Sequence, residues 1–159
     1  MDKKRKKRIE DSMLEEVHQV KPGDLNGSGR LFGGRLMEWI DEIAGLVGIR
    51  HSQSEVVTAC VDNLKFIRGA YQNDLVVLTS RLTYVGRTSM EVRVDTYVED
   101  MEGMRRPINR AYVMLVAMDK NGNSVEVPGL IIETESQRAE WEAGIKRRNM
   151  RIQRNEEGF

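Results

Sequence analysis

Between Leu36 and Val47 the apolar residues fall three or four apart: Leu36, Trp39, Ile40, Ile43, Leu46 and Val47. That spacing predicts a helix with one buried face. A second face reads Gly34, Met37, Asp41, Ala44, Gly45 and Gly48, and Arg35, Glu38 and Glu42 form a polar edge. Glycine inside a helix costs about 1 kcal/mol, so the space around Asp41 needs a reason. The helix is expected to open at Phe32-Gly33-Gly34 and to run without a proline to about Arg50. Before it, residues 15–20 predict a short strand, broken by Lys21-Pro22-Gly23. Asp24, Asn26, Gly27 and Gly29 then mark a polar loop.

After the helix the period shortens to two. Residues 56–66, 74–85 and 89–98 are β-branched and apolar. In the last of these Met90, Val92, Val94, Thr96 and Val98 face one way, and Glu91, Arg93, Asp95, Tyr97 and Glu99 face the other. A further strand is expected over 109–119, a turn at Asn121-Gly122-Asn123, and a short return over 125–132 bent at Pro128. From Glu133 the pattern is helical again. Thr134 and Gln137 are spaced as a capping box, Trp141 and Ile145 should pack on one side, and the basic last turns should fray. Short turns imply antiparallel pairing. The expected class is α+β, a sheet curled round one long helix with a surface helix after it. The expected division is a basic tail at 1–11, one domain at 12–135, and a C-terminal helix and tail at 136–159.

Composition narrows the partners. With 159 residues, 40% of them apolar, the chain can bury one real core. Its 25 basic and 25 acidic residues cancel, which gives no ground for a nucleic-acid partner. Residues 3–8 and 146–154 are locally basic and are expected as solvated stretches. No apolar run is long enough to span a bilayer, and the N-terminus lacks a secretory core, so a cytoplasmic protein without a membrane partner is expected. The one cysteine, Cys60, excludes an intrachain disulfide and is expected as a small buried hydrophobe. No metal-ligand spacing, GxGxxG or P-loop is present, and no cofactor is expected.

Several stretches together carry a family resemblance. They are Asp24-Leu25-Asn26 with Gly29, Phe32-Gly33-Gly34, Trp39-Ile40-Asp41-Glu42, Arg50-His51, Val56-Val57-Thr58 with Val61-Asp62 and Phe66, the run from Val85-Gly86-Arg87 to Val92, and Asn109 to Val113. In this order the chain resembles the hotdog-fold acyl-CoA thioesterases, the bacterial and brain-type acyl-CoA hydrolases. The resemblance implies a long helix wrapped by an antiparallel sheet, and a homodimer through a continuous sheet, often assembled as a hexameric trimer of dimers. It also implies hydrolysis of an acyl-CoA thioester, with coenzyme A as part of the substrate. Two departures stand out. Gly69 follows Arg68 where the family often has proline, and Phe32 stands where some relatives carry histidine.

Thioester hydrolysis needs a group that activates water or attacks directly, and donors for the oxyanion. A helix N-terminus supplies free N–H groups, so the Gly34 N–H is the expected oxyanion donor, with Gly33 allowing close approach. Asp41 is the expected general base or nucleophile; the residues leave both open. Gly34 and Asp41 lie about 10 Å apart along one helix, whereas a base and a donor must each lie about 3 Å from the reacting centre. A second, antiparallel copy of the helix resolves this, with Asp41 of one subunit facing Gly34 of the other. The resemblance implies the same arrangement with Asn26 acting opposite the aspartate, and places coenzyme A along Gly86, Arg87, Thr88 and Ser89. Arg68 and Arg87 are candidate phosphate contacts, and the basic C-terminus a weaker one. Competing readings are a non-catalytic acyl-CoA sensor, which would need an added DNA-binding module, and a hotdog hydratase, whose Asp–His motif His18 and His51 do not match.

Overall fold

Residues 5–159 are described in the computed structural model of the chain; the first four residues of the expected basic tail lie outside them. The elements are β1 (Lys7–Arg8), β2 (Leu14–Gln19), α1 (Gly33–Ser52), β3 (Glu55–Asp62), β4 (Leu75–Val85), β5 (Ser89–Glu99), β6 (Arg105–Met118), β7 (Leu130–Ile131) and α2 (Glu135–Glu157). Five strands form one antiparallel sheet in the order β2-β4-β5-β6-β3. The inner face of this sheet holds α1, and the core lies between them: Leu36, Ile40, Ile43 and Val47 from the helix meet Leu78, Leu82, Met90, Val92 and Leu115 from the strands. This is the α+β arrangement that the pattern predicts, a sheet curled round one long helix, and the hotdog fold that the resemblance implies.

The buried face of α1 is rotated from the expected one. Leu46 is 45% exposed, whereas Ala44 and Gly48 are buried. The cause is close packing on the sheet. A Cβ on Gly48 would stand 2.6 Å from Leu115 Cδ1, so only glycine lets the strand approach. Asp41 moves with this rotation. In the single chain it is exposed, beside exposed Met37.

Three boundaries differ for local reasons. The strand expected to reach residue 66 stops at Asp62, because Asn63 adopts φ 67° and Asn109 Nδ2 donates to the carbonyls of Asn63 and Lys65, at 3.4 and 2.8 Å. The return over 125–132 reduces to β7, which pairs in parallel with β1. Residues 7–11, expected in a solvated tail, are held there instead, with Ile9 fully buried.

The outer face of the sheet is not solvated either. Glu91 and Asp95 alternate with core residues and are buried under α2. Arg147 donates to both Glu91 oxygens, at 3.0 and 2.7 Å, and Glu140 pairs with Arg81 and Arg93. Gly144 lets the helix lie against Tyr84 and Glu91. Further along, Arg151 and Arg154 each donate to Asp62 at 2.9 Å, and α2 stays helical to Glu157, where fraying was expected. Its start is close to the expected box: Thr134 Oγ1 accepts from the Gln137 N–H, and Gln137 returns its bond one residue earlier, to the Glu133 N–H.

Candidate functional site

The loop before α1 is built on Asn26. Its Oδ1 accepts from the N–H groups of Ser28 and Arg30, at 2.9 and 3.1 Å. Because those partners are both donors, the amide orientation is fixed by the network. Asn26 therefore shapes its loop with the oxygen and keeps Nδ2 free to donate. Asp24 closes the loop, its carbonyl accepting from the Phe32 N–H at 2.8 Å and its carboxylate meeting Arg35 Nε at 3.2 Å.

At the start of α1 the N–H groups of Arg35 and Leu36 both turn to the Phe32 carbonyl. Phe32 is the N-cap and offers no side-chain acceptor. Among the described residues the N–H groups of Gly33 and Gly34 have no hydrogen-bond partner. Two orphan donors thus stand where the helix dipole is positive. Gly34 has a steric reason as well, since a Cβ there would lie 2.5 Å from the Phe32 ring. Asn26, Gly33, Leu36, Phe66, Arg68 and Ile108 line one cleft of about 280 Å³. Arg68 has no ion-pair partner among the described residues.

Asp41 is elsewhere. It borders a separate, apolar hollow of about 140 Å³ with Met37, Ile40, Val61 and Leu64. The Thr58 hydroxyl on β3 donates to Asp41 Oδ1 at 2.6 Å, fixing one carboxylate oxygen and leaving the other open. Thr58 was missed as a functional residue in the sequence. The available signal was a hydroxyl on the inward-facing parity of β3, shared with Val56. Glu42 is exposed.

The turn Gly86–Ser89 lies at the opposite end of α1. The Gly86 N–H donates to Ser89 O at 2.9 Å, and Thr88 O accepts from the Ala117 N–H at 3.0 Å. Ser89 pairs with Val116, two residues from Met118, which pairs with Glu55 just after the helix. A helix of 20 residues is about 30 Å long. One chain therefore gathers Asn26, Gly33, Gly34 and Arg68 but not Asp41, and not Gly86, Arg87, Thr88 or Ser89. Arg87 is exposed and 3.9 Å from Glu126.

Other reactive groups do not form a rival centre. Burial, and then the neighbouring Asp62, push the Cys60 thiol up, away from the thiolate a nucleophile requires. His51 is buried and bonded through Nε2 to Pro128 O at 2.8 Å. A larger hollow, about 790 Å³ beside Ile49, Gln53, Met118 and Val125, contains none of the expected site residues, so size does not mark the site. Among the described residues no cluster of His, Cys, Asp or Glu is placed to hold a metal ion, and no helix is long and apolar enough to cross a membrane.

Comparison with known proteins agrees with this architecture. A family model described as the thioesterase superfamily matches residues 28–104. The chain is 38% identical to the Bacillus subtilis protein YkhA, named as an uncharacterized acyl-CoA thioester hydrolase, over 91% of this chain and 84% of that one. It is 32% identical to the human cytosolic acyl coenzyme A thioester hydrolase over 80% of this chain, but spans only 34% of that longer protein. Among solved structures, the acyl-CoA hydrolase of Staphylococcus aureus, in complex with butyryl coenzyme A, coenzyme A and its disulfide, superposes with a TM-score of 0.89 at 30% identity, covering 96% of this chain and 93% of that one. That enzyme has also been solved with an asparagine, an aspartate or a threonine replaced by alanine. An apo-hexameric acyl-CoA thioesterase gives 0.88 at 33% identity, covering 95% and 97%.

Proposed function

The chain belongs to the thioesterase superfamily and is an acyl-CoA thioester hydrolase, and we propose that two chains complete each of its sites. Asp41 of one subunit faces the Gly34 N–H and the Asn26 amide of the other. The observation that carries this reading is the separation within one chain. Asn26 and Gly33, next to Gly34 at the open start of the helix, line one cleft, while the carboxylate borders another hollow on the exposed flank of the same helix. That flank adjoins β3, which pairs on one side only, with β6. A two-fold axis perpendicular to the sheet at the free edge of β3 continues the sheet and lays the two α1 helices antiparallel. It also brings the Gly86–Ser89 turn of one subunit toward the Asn26 end of the other.

The chemistry follows from the groups present. With Thr58 holding Oδ1, Asp41 uses Oδ2 to take a proton from water as the water oxygen attacks the thioester carbon. The carbonyl oxygen gains the charge and is met by the Gly34 N–H and Asn26 Nδ2. The intermediate collapses with cleavage of the C–S bond, giving the free acid and the coenzyme A thiol. Direct attack by Asp41 to form an anhydride, opened by water in a second step, uses the same atoms. In this reading Arg68, which lines the cleft, meets a coenzyme A phosphate.

The relatives support these roles without assigning them here. In the S. aureus enzyme the three residues replaced by alanine are separated by the same intervals, in the same order, as Asn26, Asp41 and Thr58. The hexameric relative supports assembly as a trimer of dimers.

Asp41→Ala is expected to keep its fold and oligomer and to lose about 10²–10⁴ in thiol release from acyl-CoA; undiminished turnover would remove the assignment. Mixing Asp41→Ala with Asn26→Ala subunits should restore about one site in four, because each heterodimer rebuilds one of its two sites. No recovery in verified heterodimers would overturn the shared site.

A further inference from the structure

The outer face of the sheet carries a feature that hydrolysis does not use. There α2 crosses from β4 to β3. Trp141 packs on Tyr84 with ring centroids 4.5 Å apart, Arg147 stacks 3.7 Å from the Tyr112 ring centroid, and Arg151 and Arg154 each hold Asp62 at 2.9 Å. Since β3 is the edge strand, the last turns of α2 reach the rim of the sheet.

Towards the sheet α2 presents Gly144, Arg147, Arg151 and Arg154. About a quarter turn round the helix, at roughly 100° per residue, runs a second stripe: Ile145, Arg148, Ile152 and Glu156. Its apolar members, seven positions apart, are 38% and 41% exposed, and Phe159, past the left-handed Gly158 that ends the helix, is 82% exposed. This stripe points sideways along the outer face, neither down to the strands nor straight out to solvent. Arg148, Ile152 and Phe159 wall a groove of about 460 Å³, with Ala59, Cys60 and Met114 also lining it. Neither Arg148 nor Glu156 has an ion-pair partner among the described residues.

The stripe is also self-complementary. Arg148 and Glu156 are equidistant from Ile152 along the chain. A two-fold axis at Ile152 therefore sets Arg148 of each copy against Glu156 of the other, and Ile152 against itself. Isologous contacts require this pattern.

We propose that α2 packs antiparallel against α2 of a second copy, centred on Ile152, on the outer face of the sheet. The inference rests on the pairing along β3 proposed above, which sets the two outer faces edge to edge and brings both helix ends to one seam. The contact continues that interface, fills the groove with the apolar flank of the partner helix, and gives Arg148 and Glu156 partners. The dimer is then clasped on both faces of its continuous sheet, by α1 inside and α2 outside.

Site-directed cross-linking tests it. Ile152→Cys in a Cys60→Ala background, oxidised mildly at low protein concentration, is expected to give a disulfide-linked dimer on non-reducing gels, with thiol-independent hydrolysis retained. A dimer or larger assembly by sedimentation that yields no covalent species overturns the α2 contact and leaves the β3 pairing standing. A monomer by sedimentation overturns both. Arg148→Glu should weaken the dimer about tenfold, and adding Glu156→Arg should restore it; a double reversal that stays weak counts against the registered pair.

Discussion

The two ends of α1 are finished in opposite ways. At the C-terminal end nearly every carbonyl is claimed. Lys7 Nζ donates to Arg50 O and His51 O at 2.9 and 3.0 Å, Ser52 Oγ to Gly48 O at 2.8 Å, and the Gln53 N–H to Ile49 O at 2.8 Å. Gln53 turns left-handed at φ 55° to close the last turn. At the N-terminal end, where Ser, Asp or Asn would be the ordinary cap, Phe32 stands and two N–H groups stay open. One end serves stability and recruits a lysine from a segment more than forty positions away. The other gives up a cap and keeps its donors for something that arrives later. In a helix that is otherwise well satisfied, such an omission is a functional signal.

Substitutions at the two ends should separate these purposes. The largest effect is expected for Asn26→Asp. It keeps the acceptor that shapes the loop and removes the Nδ2 donor, so thiol release should fall about 10²–10³ with little change in thermal unfolding. A parallel loss of stability would show that Asn26 serves only its loop. At mid-helix, Thr58→Val keeps the shape and removes the bond to Asp41, so kcat should fall about tenfold with KM steady; a change confined to KM would break the positioning role. Lys7→Ala should act at the sealed end alone, lowering unfolding free energy by about 1 kcal/mol while kcat stays unchanged. The smallest effect is that of His51. Burial holds its imidazole below its ordinary range, against the opposing pull of Pro128 O. The unfolded chain therefore binds the proton first. The stability that neutral His51 confers is complete above about pH 6.5 and is lost as pH falls through the folded-state value. His51→Gln should flatten the drop in Tm between about pH 7.5 and 5, and an unchanged slope would assign that drop elsewhere.

The pattern of apolar residues made the sheet and the central helix legible, because each period matched its element. It also marked Gly33-Gly34 as the start of the helix, since a glycine pair opening a helix has a local meaning, whereas Asn26 was reached only through the family resemblance. It misjudged which side of α1 is buried, because the face touching the strands was chosen for smallness, at Ala44 and Gly48, and hydropathy rewards bulk. Thr58 escaped because its partner lies 17 positions away on another element. The arginines of α2 read as a solvated basic run because their carboxylates, Glu91 and Asp62, are 56 to 92 positions distant. The separation of Asp41 from Gly34 was legible only as a length, and a length calls for a second chain without saying how it docks.

The free edge of β3 has a consequence for how the protein lives in a crowded mixture. An open strand rim is a template for any extended peptide, so a newly made chain is at its most vulnerable before it meets its own kind. In the pairing proposed above, completing the active site and covering that rim are one event. Catalytic output per chain should rise with chain concentration and vanish on extreme dilution, as mass action requires of an obligate pair. A subunit too damaged to pair is thereby silenced rather than left running alone.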